Sequence, residues 1–475
     1  MESIVSVGID IGTTTTQVAF SRLFLEDTAG YFRVPDIGIV QKQVFYCGTP
    51  CFTPMVGEFE IDAEKVRTIV ENEYRMARQY PNTVATGAII ITGEAAKKRN
   101  AAALLAALSP LAGDFVAETA GPDLEAVIAG KGSGAATYSK NNHCRILNID
   151  IGGGTSNAAL FENGEPISTG CMEVGGRHIR TDSSGRIESM TKAAEIICER
   201  RGISLQPGDM NPDGISRFVA VQAEMLAMLA GLSPRDELFR ELVTPGSADL
   251  DLSGGYDGIC LSGGVSDAVY GAFASGDDFR FGDIGILLGR RIAQSGRMQS
   301  KTVVRPDETI RATVVGAGAH TVLVSGSTIF AAAESLPQRN IPVLHLSKEE
   351  YHRIAGGDAG LLEKRLKQLL CQRDEAYAAI ACSGERDPSY EKVRSFASAL
   401  VQGADQAMQK DAPLIVVLEE DMAKALGQAL HPLTKRNVIA IDRVRTRAND
   451  RIDIGRLMMN GQVVSVVVKT LVFGR

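Results

Sequence analysis

Apolar residues alternate with polar or small ones from Ile4 to Ile11, break at Gly12-Thr13-Thr14-Thr15-Thr16, and resume from Gln17 to Leu23. A period of two interrupted by a Gly/Thr cluster predicts two strands joined by a tight turn. The pattern returns near residue 150: strand-like from Arg145 to Ile151, a turn at Gly152-Gly153-Gly154-Thr155, then apolar from Asn157 to Phe161. The octets Ile9-Asp10-Ile11-Gly12-Thr13-Thr14-Thr15-Thr16 and Ile149-Asp150-Ile151-Gly152-Gly153-Gly154-Thr155-Ser156 are echoes of each other. A duplicated hairpin predicts two related α/β lobes.

Between the echoes, helical spacing covers residues 62–79, an uncharged strand covers 88–92, and helical spacing returns over 94–108 and 123–129. After the second echo come strands to Val174, helices over 189–199 and 215–229, and a strand over 256–261 that enters Ser262-Gly263-Gly264 before a helix from Asp267. The uncharged stretch 312–333 is long enough for a bilayer, but His320 and its Gly/Ser breaks predict a buried helix followed by a strand. Beyond Ala333, Pro337 and Pro342 read as bracketing a linker. Charged helices over 360–379 and 390–409 follow, then strand, helix, strand and strand at 414–418, 422–430, 438–441 and 463–473. The expected division is lobe I over 1–145, lobe II over 146–332 and an added α/β region over 333–475.

Composition narrows the class. The chain's 475 residues fit about three domains. Fifty Lys and Arg against 57 Asp and Glu leave a net charge of −7, which argues against nucleic acid as a partner. With 5% aromatics and no Trp there is no stacking platform for bases either. The start Met1-Glu2-Ser3 lacks the basic opening of a secretory signal, and eight scattered cysteines without a C-x-x-C fit a reducing cytoplasm with no membrane association. Cys47 and Cys51 are the one pair considered for a metal. Two basic stretches stand out: Arg290, Arg291, Arg297 and Lys301, and then Lys435, Arg436, Arg443, Arg445, Arg447 and Arg451. Both read as solvated faces, the second also as a docking surface for an acidic partner.

The two turns carry the chemistry. Glycines and small hydroxyl residues between strands leave backbone N–H groups aimed into a gap, which suits phosphate oxygens. Gly12, Thr13, Thr14 and Thr15 would face Gly152, Gly153, Gly154 and Thr155. Asp10 and Asp150, each at a strand end before its turn, are the catalytic and Mg2+-holding candidates, acting through the ion's water shell. Gly263, Gly264 and Ser266 form a third glycine turn at a helix start, where a nucleoside could lie against backbone. A P-loop is absent, and Thr137 and Thr321 spoil the two nearest approaches to G-x-G-x-x-G. The six histidines form no H-E-x-x-H, and each alone reads as packing or surface.

In this order the three segments resemble the actin, Hsp70 and sugar-kinase superfamily, over about residues 1–330. The resemblance implies ATP or ADP with Mg2+ in a cleft between two ribonuclease-H-like lobes. Connecting helices are implied at Gly121-Pro122-Asp123 and at Val315-Gly316-Ala317-Gly318-Ala319. Gly121 stands where Hsp70-like chaperones place a glutamate, so Asp123, or else Glu125 or Glu118, is the substitute carboxylate for the metal shell. No lysine matches the chaperones' catalytic lysine.

The whole chain also looks like the ethanolamine ammonia-lyase reactivating factors of bacterial ethanolamine utilisation. This rests on the two hairpin segments, on Ala88-Ile89-Ile90-Ile91-Thr92-Gly93-Glu94-Ala95-Ala96, on Phe281-Gly282-Asp283-Ile284-Gly285, on Asp453-Ile454-Gly455-Arg456 and on Val466-Val467-Val468-Lys469-Thr470-Leu471-Val472-Phe473. That resemblance implies a chaperone-like, slow ATPase whose client is ethanolamine ammonia-lyase. It would release damaged cobalamin from the client for exchange with intact adenosylcobalamin, the client's own cofactor. A homodimer and association with the ethanolamine utilisation microcompartment are the assembly states considered. Two alternatives are a small-molecule kinase, with Asp257 and Asp283 as nominal bases, and a non-enzymatic actin-like scaffold.

Overall fold

The first alternation folds as β1 (Glu2–Ile11), and the chain returns antiparallel as β2 (Thr15–Asp27), in register from Glu2 opposite Leu25 to Ile11 opposite Thr16. The computed structural model describes residues 2–12, 15–27, 37–56, 60–92, 100, 104, 107–108, 111, 117–119, 121–273, 275–276, 278–320, 323–325, 329–373, 375–448, 450–458 and 461–470. Thr13, Thr14 and most of the helix expected over 94–108 lie outside them. β3 (Ile37–Cys47) and the short β4 (Cys51–Phe52) both pair with β2, and a ribbon of β5 (Met55–Val56) and β6 (Glu60–Ile61) follows. β7 (Thr86–Ile91) runs parallel to β1, and β8 (Ala117–Thr119) parallel to β7. The order is β3-β2-β1-β7-β8.

The second echo repeats this topology. β9 (Arg145–Ile151), β10 (Ser156–Glu162) and β11 (Glu165–Met172) form an antiparallel meander. After a small ribbon of β12 (Ile179–Thr181) and β13 (Ile187–Met190), β14 (Gly258–Ser262) and β15 (Thr302–Val304) add parallel strands. The order β11-β10-β9-β14-β15 matches the first sheet strand for strand. Two copies of this three-antiparallel, two-parallel sheet are the expected ribonuclease-H-like lobes.

Each sheet is covered on both faces. The helix Ala63–Met76, whose Asp62 cap accepts the Lys65 N–H, buries Val66, Val70 and Tyr74 against Val7, Ile9 and Phe20. Helices Lys192–Arg201, Pro212–Leu229 and Gly285–Ala293 cover the outer face of the second sheet. Between the lobes run Pro122–Gly132 and Ala312–His320. Ile128 and Ala317 pack with Ala88 and Ile90 of the first sheet, while Ala126 packs with Ile146, Ala159 and Phe161 of the second. These helices touch backbone to backbone: a Cβ added at Gly132 would stand 1.8 Å from the Ala312 carbonyl oxygen, and one at Gly316 2.1 Å from that of Ile128.

A third sheet combines β16 (Leu323–Val324), β17 (Phe330–Ala331), β18 (Gln338–His345), β19 (Ala379–Cys382), β20 (Leu414–Leu418), β21 (Val438–Ile441), β22 (Asp450–Met458) and β23 (Val463–Thr470). Its order is β16-β23-β22-β18-β19-β20-β21-β17. The expected linker at Pro337–Pro342 is therefore a correction: most of it is β18, near the middle of this sheet. A register shift between Gln338 and Ile341 lies beside Pro342, the kind of irregularity where a residue without an N–H is tolerated. Helices Ala359–Arg373, Tyr390–Ala407 and Ala423–Leu430 bury Leu366, Phe396 and Leu426 on one face. Val343, Ile415 and Ile439 pack on the other with Ile452, Ile454 and Val464. Val463 and Met458 join Ile4, Leu23 and Leu25, so this sheet rests on the first lobe.

The second basic stretch is only partly a surface. Arg436 is buried, with its guanidinium 2.9 Å from Asp405 and donating to the carbonyls of Gln409, Ala412 (2.9 Å) and Met408 (3.4 Å) at the end of helix Tyr390–Ala407. Arg451 donates to the Asn340 carbonyl at 2.9 Å and pairs with Glu375, and Arg443 lies 3.8 Å from Asp421. No helix among the described residues is long and apolar enough to cross a membrane.

Candidate functional site

Asp10 and Asp150 occupy equivalent positions, one residue before the ends of the central strands β1 and β9. Each following turn closes the same way: the Gly12 N–H donates to the Thr15 carbonyl and the Gly152 N–H to the Thr155 carbonyl, both at 2.9 Å. The charge of Asp150 is felt at Asp10. Burial pushes Asp10 up to about 7; a 3.0 Å bond from the Thr92 hydroxyl opposes this and the charge of Asp150 adds to it. Burial pushes Asp150 up to about 6, against a 2.6 Å bond from the Ser262 hydroxyl. Ser262 accepts in turn from Asn148 at 3.2 Å, whose amide oxygen accepts from Ser133 at 2.8 Å. That chain of bonds links Asp150 to the end of the connecting helix Pro122–Gly132.

The second turn is aimed by three bonds on its back. The N–H groups of Gly176 and Arg177 donate to the carbonyls of Gly152 (3.0 Å) and Gly153 (2.7 Å). The Gly154 carbonyl lies 3.0 Å from His178 Nε2. In a planar trans peptide the carbonyl and the next N–H point opposite ways. The N–H groups of Gly153, Gly154 and Thr155 therefore all face away from residues 176–178, as a nest for an anion requires. A carbonyl only accepts, so Nε2 carries the imidazole proton, and Nδ1 accepts from the Thr191 hydroxyl at 2.5 Å. Burial holds His178 down at about 4, neutral at physiological pH, despite its bond to Gly154.

The first turn has its own anchor. Thr53 donates to the Gly12 carbonyl at 2.7 Å, so at the 3.1 Å contact between Thr16 and Thr53 it is Thr16 that donates. At the third turn, Gly263 has φ +89°, and a Cβ there would stand 2.4 Å from the Ile151 carbonyl oxygen. The Val265 N–H donates to that oxygen at 3.2 Å, locking the turn to the end of β9. Gly264 is exposed, with Ile310, itself exposed, 3.8 Å from where its Cβ would be. Ser266 is buried instead, its hydroxyl donating to the Gly263 carbonyl at 2.6 Å, and serves the turn rather than an open surface.

Other candidates are engaged elsewhere. Asp123 accepts from Thr169 at 2.8 Å and from the Ala248 N–H at 3.2 Å. The Glu118 side chain lies outside the described residues. Asp257 accepts the Arg145 N–H at 2.8 Å; Asp283 accepts the Gly285 N–H at 2.9 Å and lies 3.8 Å from Arg177. Cys47 stands opposite Ala19 and Cys51 opposite Thr16 on β2, about 10 Å apart along the strand and too far to share a metal. Among the described residues no three His, Cys, Asp or Glu side chains gather as a metal cage. Thr53, His178 and Ile310 were given no site role from the sequence, and Thr92 and Ser262 appeared there only within quoted segments. For His178 the signal is the preceding Gly175-Gly176: a Cβ at Gly175 would lie 2.4 Å from the Gly153 carbonyl oxygen.

Residues 2–474 match the family described as "EutA: Ethanolamine utilisation protein EutA". The chain is 38% identical over 475 residues to a protein of Escherichia coli (strain K12) named "Ethanolamine ammonia-lyase reactivase EutA", covering 99% of this chain and 98% of that one. It is 39% identical over 479 residues to the protein of the same name from Salmonella typhimurium, with the same coverage. Among solved structures, the Aquifex aeolicus member of the Ppx/GppA protein family aligns with TM-score 0.41 and 12% identity, over 66% of this chain and 97% of that one.

Proposed function

Because the chain belongs to the ethanolamine utilisation protein EutA family, we propose that it is a reactivase of ethanolamine ammonia-lyase, driven by ATP bound between its two hairpins. The observation that carries the nucleotide reading is the pair of carboxylates Asp10 and Asp150, on equivalent strands, each before a small-residue turn, the second of which aims N–H groups away from its anchors.

Burial raises both carboxylates, and the charge of Asp150 adds to the rise at Asp10; a divalent ion would offset that cost, so the pair fits one. Asp10 and Asp150 would hold Mg2+ through its water shell; when bound, the ion neutralises charge on the phosphates. The N–H groups of Gly153, Gly154 and Thr155 receive phosphate oxygens and stabilise charge that grows as the terminal phosphoryl group leaves. In hydrolysis a water oxygen bonds to the terminal phosphorus, the bond from that phosphorus to the bridging oxygen breaks with its electron pair staying on the diphosphate, and a water proton passes to a phosphate oxygen of the products. Asp10 and Asp150 orient that water. Gly264 and Ile310 flank the space for the nucleoside, with Gly263 holding the turn against β9.

The nucleotide does work only if its ATP and ADP forms favour different lobe arrangements with different affinity for the client. Each tenfold difference corresponds to about 1.4 kcal/mol. Binding the inactivated holoenzyme in one state and releasing it in the other would open the client, let damaged cobalamin leave and admit intact adenosylcobalamin. A slow ATPase suffices, since hydrolysis only times the cycle. The kinase alternative has less support, since its nominal bases Asp257 and Asp283 each already accept a backbone N–H.

The test is ammonia release from cyanocobalamin-blocked ethanolamine ammonia-lyase, supplied with adenosylcobalamin, Mg2+ and this protein, with and without ATP. Recovery should need both protein and ATP, and Asp150→Asn should lower ATP turnover about 100-fold or more while keeping the fold. Recovery without ATP, or full turnover by a folded Asp150→Asn protein, would sink the proposal.

A further inference from the structure

The Arg177 side chain takes no part in the turn anchors or the paired carboxylates. Its backbone N–H is fixed to the Gly153 carbonyl at 2.7 Å, and its methylenes lie 3.4 Å from where a Gly153 Cβ would be, so its stem lies along the second phosphate turn. The guanidinium crosses to the other lobe, with its carbon 5.6 Å from the centre of the Phe52 ring. Phe52 lies in β4, directly opposite Thr15, the residue that closes the first phosphate turn. The ring is 72% exposed. Besides this, Arg177 has one loose ionic contact, Nε to Asp283 at 3.8 Å, while Asp283 has its other oxygen bonded to the Gly285 N–H at 2.9 Å.

A guanidinium spanning two phosphate-binding turns, on an exposed ring and a long ion pair, is held by contacts that a phosphate outcompetes. Bidentate, charge-assisted bonds to phosphate oxygens are shorter and stronger than either. We propose that Arg177 is the cleft's phosphate-reading cation, leaving Phe52 to contact the terminal phosphate of a bound nucleoside triphosphate. The inference rests on the nucleotide reading above and adds to it a residue that distinguishes triphosphate from diphosphate. It also gives the two lobes a cross-cleft contact that differs between nucleotide states: Arg177 on Phe52 when the terminal phosphate is absent, Arg177 on the phosphate when it is present.

The test is calorimetric titration of the full chain with Mg2+ plus either ADP or the non-hydrolysable β,γ-imido analogue of ATP, for wild type, Arg177→Gln, Arg177→Lys and Phe52→Leu. Arg177→Gln should weaken the triphosphate analogue tenfold or more and ADP by less than twofold, with Arg177→Lys between it and wild type. Phe52→Leu, which removes only the resting contact, should bind the analogue at least as tightly as wild type. If Arg177→Gln does not fold, the same comparison on Arg177→Lys decides. Equal weakening of both nucleotides would show that Arg177 only holds the turn, and analogue binding lost in Phe52→Leu would show that the ring contact itself is needed. Either overturns the inference alone. A wild type that binds neither nucleotide overturns the nucleotide reading with it.

Discussion

His178 sits where its charged form has no room. Its folded pKa of about 4 lies below the ordinary 6.5, so the unfolded chain takes up the proton first. Its contribution to stability is complete above about pH 6.5 and is lost as pH falls toward 4, amounting to about 3 kcal/mol across that window. His178→Gln should flatten this part of the stability profile relative to wild type, measured by urea unfolding at pH 8, 6 and 5. Asp10 and Asp150 act with the opposite sign. Their folded pKa values of about 7 and about 6 are raised, so they favour the nucleotide-free fold at low pH and this is lost as pH rises through those values. Asp10→Asn combined with Asp150→Asn should therefore stabilise the nucleotide-free protein at pH 8 while abolishing its ATP turnover. The two aspartates were legible because each sits in a repeated octet. Thr53 and Arg177 were not, since each meets its turn from another stretch of chain and shares no pattern with it.

At the scale of elements, the two connecting helices cross where neither has a side chain. Gly316→Ala would push a methyl to 2.1 Å from the Ile128 carbonyl oxygen, backbone that has no rotamer to yield. The expected loss is about 1–3 kcal/mol, read by urea unfolding, with ATP-dependent recovery of the lyase falling further than stability does. Helix Tyr390–Ala407 depends on a cap that sequence periodicity does not reveal. Arg436→Met should lose about 2–4 kcal/mol, because the carbonyls of Ala412 and Met408 lose their donor inside the protein and that of Gln409 keeps only the Ala412 N–H. A change of the midpoint below a few tenths of a molar in urea would contradict that role. Most strands and helices were legible from period alone; β18 was not, because its two prolines carry a loop signal that only its neighbours in the sheet override.

For the whole molecule, a nucleotide gripped from both lobes couples them. At free Mg2+ and nucleotide about 100 times the dissociation constant, stability should rise by about 2.7 kcal/mol. Amide exchange should slow in both β1–β2 and β9–β10, and protection confined to one hairpin would show that the other does not take part. The chain's own pattern determined that there are two lobes, that each carries an Asp before a small-residue turn, and that a third α/β region follows, since these depend on local period and on a close echo. Tertiary structure alone decided that the third sheet takes in β16 and β17, that its β22–β23 hairpin rests on the first lobe, and that Arg177 reaches Phe52. Burial and hydrogen bonding select such partners by proximity after folding, and proximity between residues 125 or 459 positions apart leaves no periodic trace in one sequence.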